Sequence, residues 1–173
     1  MQKTHGFLAA LAAITLVQVA GAGETRSAGK HEHGTTSLGI AVEGQSLVLE
    51  LDGPAANFTG FERPPANDAE KQALARVLNA LRDGAALFGT PPEAACRLKS
   101  AAVSPPGYED DGHADLEAFW EFTCGSPAAL TWVEARLFKA FPGTEKLSTS
   151  VVTDKGQKAV VLTPGTTRVL LPE

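Results

Sequence analysis

Apolar side chains recur at every second residue in some stretches of this chain and at every third or fourth in others. Leu38, Ile40 and Val42 alternate with small residues, and Leu47, Leu49 and Leu51 alternate again after Glu43-Gly44-Gln45. This pattern predicts a β-hairpin with one buried face, its three-residue connection placing Gly44 at positive φ. Asp52-Gly53-Pro54 ends the second strand, because proline donates no hydrogen bond to a ladder. Phe58 and Phe61 follow in an irregular stretch and are expected to pack over the sheet edge. The period changes at Asn67, whose side chain caps a helix start, with Glu70 completing a capping box. Ala73, Leu74, Val77, Leu78 and Leu81 then keep helical spacing. They predict a helix over 68–82 that lays this face on the sheet and turns Lys71, Arg76 and Arg82 to water. Asp83-Gly84 stops it, with Gly84 expected in the left-handed cap conformation.

After the apolar pair Leu87-Phe88, a half-buried strand is expected over 95–103, with Cys96 and Leu98 on one face and Arg97 and Lys99 on the other. Ser104-Pro105-Pro106-Gly107 breaks it, and 108–112 reads as an acidic loop. In the next strand Leu116, Ala118, Trp120, Phe122 and Cys124 form one face, and His113, Asp115, Glu117, Phe119 and Glu121 the other. Ser126-Pro127 has the chemistry of a helix start. Leu130, Val133, Leu137 and Phe141 supply a helical face up to Pro142-Gly143, with Trp132 and Phe138 beside it. Three short strands are expected over 147–152, 158–162 and 167–171. The order ββαββαβββ predicts an α+β fold, two main helices covering one face of a largely antiparallel sheet. A strand pair followed by a helix occurs twice, which suggests a single domain over 38–173 built from two related halves with pseudo-symmetry.

Residues 1–22 have the form of a secretory signal peptide. Lys3 makes a positive start, an apolar run extends from Phe7 to Ala20, and Ala20-Gly21-Ala22 is a small-x-small cleavage pattern. The run is short for a membrane span. The polar stretch after it, 23–37, reads as a flexible N-terminal segment that bears metal-binding residues. What remains is one ordinary domain in size. The whole chain carries a formal charge of −5 with no block of Lys and Arg, which disfavours nucleic acid as a partner because a phosphate backbone needs a basic footprint. Cys96 and Cys124 lie in the exported portion, where an oxidising compartment favours a disulfide. Such a loop removes unfolded-state entropy worth roughly 3 to 4 kcal/mol. A reactive or metal-bound pair is the rival reading, and the wide spacing argues against a CxxC redox site. Asn57-Phe58-Thr59 matches the short, common N-glycosylation pattern, although burial alone accounts for Phe58.

The chemistry is concentrated in two places. His31-Glu32-His33-Gly34 puts two imidazoles one residue apart, and His113-Ala114-Asp115-Leu116-Glu117 adds a third with two carboxylates. Together His31, His33 and His113 make a three-imidazole ligand set. Asp115 or Glu117 can add an oxygen ligand or orient an imidazole. Zinc suits such nitrogen/oxygen coordination, and copper or nickel also fits. The competing view is a flexible surface pair and an ordinary loop histidine.

The chain also resembles the ZrgA-like family of zinc-regulated periplasmic proteins. The likeness rests on His31-Glu32-His33-Gly34 with Leu38-Gly39-Ile40-Ala41-Val42, then Leu49-Glu50-Leu51, Pro54-Ala55-Ala56-Asn57 and Gly60-Phe61-Glu62. It continues through Ala95-Cys96, His113-Ala114-Asp115, Glu121-Phe122-Thr123-Cys124, Leu137-Phe138 and Phe141-Pro142. The resemblance implies a periplasmic protein of zinc acquisition or homeostasis, working with components of zinc uptake. Its His-x-His falls on His31 and His33, and its His-Ala-Asp on His113 and Asp115. Many relatives carry a His-rich insert where this chain has Ser104 to Gly112, which contains no His, so a low-stoichiometry site is expected rather than a high-capacity buffer. The leading expectation is zinc capture or delivery without catalysis and without stable membrane insertion. A non-catalytic interaction protein with incidental histidines is the alternative. A zinc hydrolase ranks below both, because HExxH, GxSxG and phosphate-loop motifs are missing.

Overall fold

The computed structural model describes residues 32–108 and 114–172. The expected leader, His31 and His113 lie outside these residues. The first two alternating stretches pair as an antiparallel hairpin of β1 (Thr35–Glu43) and β2 (Ser46–Pro54). Leu38, Ile40, Leu47, Leu49 and Leu51 all turn inward and are at most 2% exposed. Gly44 takes φ +56° in the turn. β1 begins ahead of Leu38, so Thr35 to Ser37 belong to the sheet and not to a flexible segment. β2 continues through Pro54, beyond its expected end.

The irregular stretch contains a single helical turn, α1 (Ala56–Thr59), which buries Phe58 edge-on against Phe141 with ring centres 5.3 Å apart. The long helix α2 (Asp68–Arg82) has the predicted bounds, and Asn67 Oδ1 accepts from the Glu70 N–H at 3.0 Å. The return half of the cap differs from expectation. Glu70 accepts from the Ala66 N–H at 2.8 Å and from both terminal nitrogens of the Arg63 guanidinium. Of the helix's apolar face only Leu81 is fully buried; Val77 and Leu78 are half-buried.

Gly84 corrects a second expectation. It opens a short helix, α3 (Gly84–Leu87), capped by Asp83, and is not among the residues at positive φ. Its requirement is space: a Cβ there would lie 2.4 Å from Cδ1 of Trp120. The strands that follow are β3 (Phe88–Gly89), β4 (Cys96–Val103), β5 (Gly107–Tyr108) and β6 (Ala114–Cys124). β6 buries its predicted stripe, and Cys96 sits directly opposite Cys124 in a disulfide.

The second main helix does not form. Ser126-Pro127 leads only into one 3-10 turn over Pro127–Ala129, with no side-chain cap bond. A strand, β7 (Trp132–Ala135), and a single turn, α4 (Leu137–Ala140), follow. Leu130, Val133, Leu137 and Phe141 are buried nonetheless. β7 alternates half-buried and buried residues because it lies between two strands, and tertiary pairing overrides the helix-like spacing. The final strands are β8 (Lys146–Thr153), β9 (Gly156–Leu162) and β10 (Arg168–Leu170).

These elements make two sheets. The larger runs β4-β6-β2-β1-β8-β9 with β5 beside β6, and the smaller runs β10-β7-β3. All pairs are antiparallel except β1 with β8. The architecture is α+β and mostly sheet, with one long helix among the described residues in place of two. Both sheets contribute to one continuous core.

Two outcomes follow from this packing. Gly84→Ala must displace the Trp120 ring, and denaturant unfolding should show a loss of about 1 to 3 kcal/mol, the usual range for overpacking. The second concerns Glu70, whose pKa is lowered from an ordinary 4.5 to about 2, first by its hydrogen bond from Arg63 and then by that from the Ala66 N–H. Because the folded value is the lower one, stabilisation by this carboxylate is complete above the unfolded pKa and is lost as pH falls through about 2. An NMR titration should place the Glu70 inflection there, and Arg63→Gln should move it up towards the ordinary range.

Candidate metal centre

The register of the large sheet gathers four strand ends at one edge. Pro54 at the end of β2 pairs with Asp115 at the start of β6, and the Ala55 N–H donates to the Ala114 carbonyl at 2.8 Å. On the other side, Ser37 pairs with Asp52, so Thr35 at the start of β1 comes level with Pro54. Thr35 in turn pairs with Lys146 at the start of β8. One row therefore runs Asp115, Pro54, Thr35, Lys146. It brings Thr35, which follows the His33 turn, and Asp115 to the same end of the sheet, two strand spacings or about 10 Å apart.

His33 occupies a turn directly before β1. The Thr35 N–H closes the turn onto the Glu32 carbonyl at 2.9 Å, and Gly34 takes φ +84°. The Gly34 carbonyl accepts from the N–H groups of Glu145 and Lys146, at 2.7 and 2.9 Å. From the opposite side Asn57 Oδ1 accepts from the Gly34 N–H at 2.8 Å, and Asn57 Nδ2 donates to the Thr35 carbonyl and to Thr36 Oγ1 at 2.9 and 3.0 Å. The turn is thus held by backbone on one flank and by a buried amide on the other.

The His33 side chain is 67% exposed, and its Nε2 lies 3.9 Å from Oε2 of Glu62, whose own side chain is 13% exposed. The ligand atoms of a tetrahedral zinc stand about 3.3 Å apart, so a small adjustment lets this imidazole and this carboxylate share one ion. Glu62 sits on a loop that cannot drift freely. Thr59 Oγ1 accepts from the Phe61 N–H at 3.2 Å, and its single proton has the Phe61 and Ala55 carbonyl oxygens within reach at 2.7 and 2.9 Å. Glu32 adds a surface carboxylate 3.7 Å from Lys146 Nζ. Tyr108 of β5 pairs with Ala114 at the same edge, and burial pushes its phenol pKa up, keeping it neutral and a poor metal ligand.

Of the residues singled out in the sequence, the described set places three. His33 is in the turn, Asp115 is half-buried in the row, and Glu117 is exposed two pairs farther along β6, opposite Asp52. Asp115 and Glu117 share the outward face, as the alternation predicted. Among the described residues no three His, Cys, Asp or Glu side chains converge closely enough to hold a metal ion. Sequence reasoning missed Glu62, whose only signal was its place in Gly60-Phe61-Glu62. It also gave Asn57 a different meaning. The glycosylation pattern cannot be used in the folded chain, because Asn57 is 4% exposed and its amide nitrogen already donates twice.

A family model described as ZrgA family zinc uptake protein matches residues 30–171. No curated protein matches the chain.

Proposed function

The chain belongs to the ZrgA family of zinc uptake proteins, and from that premise we propose that it captures zinc at the His33 end of its large sheet. The observation that carries this reading is the 3.9 Å approach of His33 Nε2 to the Glu62 carboxylate, on a turn that is already held in place. Imidazole nitrogen with carboxylate oxygen is a donor set that zinc accepts readily. His31 and His113 adjoin Glu32 and Ala114, which both lie at this end, and together with Asp115 they are the candidates to complete the shell. Glu117 lies farther along the face and suits an orienting role. Copper and nickel are the metals to test beside zinc.

An exposed imidazole supports capture and hand-over rather than permanent retention, since an ion held near the surface exchanges with a partner more readily than a buried one. The chain therefore acts as a non-catalytic binding protein in the periplasm, delivering zinc to the uptake machinery after its leader is removed. No helix among the described residues is long and apolar enough to cross a membrane.

Calorimetric zinc titration of the disulfide-intact chain without its leader tests the reading. One ion per chain is expected, with His33→Ala and Glu62→Gln each weakening binding by about 10-fold or more, at least the loss seen for partners outside a metal's ligand shell. Zinc at 100 times its Kd should add about 2.7 kcal/mol to the unfolding free energy. Unchanged affinity in both variants would move the site elsewhere. Absence of binding in the unaltered chain would leave an interaction protein with incidental histidines.

A further inference from the structure

We infer that Asn57 is the positioning residue of the metal centre, setting the His33 turn against the loop that carries Glu62. The inference rests on the zinc-capture reading and extends it to a residue that touches no metal.

Asn57 spends its whole side chain on three consecutive residues, Gly34, Thr35 and Thr36, immediately after His33. A buried amide with all these bonds made is costly to move, because each broken bond leaves a polar group without water. Its backbone is fixed as well. The Asn57 carbonyl oxygen lies 2.6 Å from where a Cβ at Gly143 would stand, so the chain around α4 closes over it with no space to spare. The neighbouring Phe58 is seated on Phe141.

The consequence lies in where Glu62 is attached. Asn57 and Glu62 belong to one short segment, braced between them by the Thr59 hydroxyl. The element that grips the His33 turn therefore also presents the facing carboxylate. The separation of the two donors is set by this segment and not by the long, indirect path through the hairpin. Holding both donors before the ion arrives removes an ordering cost from binding.

The test uses Asn57→Ser, which removes all three bonds, with Thr36→Val as a milder variant that removes one. Three quantities are read below the melting temperature of each protein: the zinc Kd, the 15N signals of the His33 imidazole at saturating zinc, and amide exchange. In Asn57→Ser the Gly34 amide should exchange faster while Ile40 and Leu49 stay protected. The Kd should rise about 10-fold, and the His33 ring should lose its zinc-induced shift. Thr36→Val should show a smaller change in the same direction, and it carries the test if Asn57→Ser does not fold. A merely structural Asn57 would lower the melting temperature and leave the Kd and the His33 ring signature unchanged, and that result overturns the inference. So does a Gly34 amide that stays protected without Asn57. Failure of the unaltered chain to bind zinc is a separate outcome that removes the capture reading itself.

Discussion

The Trp120 indole is fully buried at the centre of β6, and most of the architecture is arranged to accommodate it. Its N–H needs an acceptor in a place without water, and finds the Leu81 carbonyl at 2.7 Å. That bond ties the last turn of α2 to the sheet, although the rest of the helix buries little. Its ring meets Phe88 edge-on with centres 4.9 Å apart, which joins the smaller sheet to the larger one through β3. The close approach of the ring excludes a side chain at Gly84. Leaving the indole N–H without a partner would cost about 1 to 3 kcal/mol, so helix end, glycine and aromatic neighbour are held to one another.

This arrangement fixes the register on which the candidate metal centre depends. β6 buries alternate side chains, and a slip by one residue would turn its whole apolar stripe to water and its acidic face inward. With β6 locked, β2 and then β1 take their places by the same logic. Asp115, Pro54, Thr35 and Lys146 then fall in one row. The disulfide secures the opposite end of β6, where Cys96 faces Cys124. The centre is thus built on strand ends whose positions follow from the core, while its donors remain within reach of solvent.

The candidate site was only partly legible beforehand. His33 stands out because histidine is rare in this chain and because His-x-His is a recognisable ligand pattern. The outward direction of Asp115 and Glu117 followed from strand alternation. Glu62 and Asn57 were opaque for a common reason: they lie in a stretch without periodicity, where side-chain direction follows from local hydrogen bonds rather than from a repeat. Asn57 even bore a competing pattern, and only its burial and its three bonds reveal what it holds.

The sequence by itself determined the hairpin, the long capped helix and the buried stripe of β6, because each is written in the spacing or chemistry of neighbouring residues. It favoured a bond between its two cysteines, and the register of β4 with β6 sets them opposite each other. It also determined that Leu130, Val133, Leu137 and Phe141 would be buried. Tertiary structure decided in what form. β7 is a strand because β10 and β3 supply hydrogen-bonding partners on both sides, and those partners lie far away along the chain. The parallel pairing of β1 with β8, which brings Lys146 to the His33 turn, likewise joins distant segments. Periodicity reports which face of a segment seeks the core; which backbone meets it there depends on long-range packing that no local window contains.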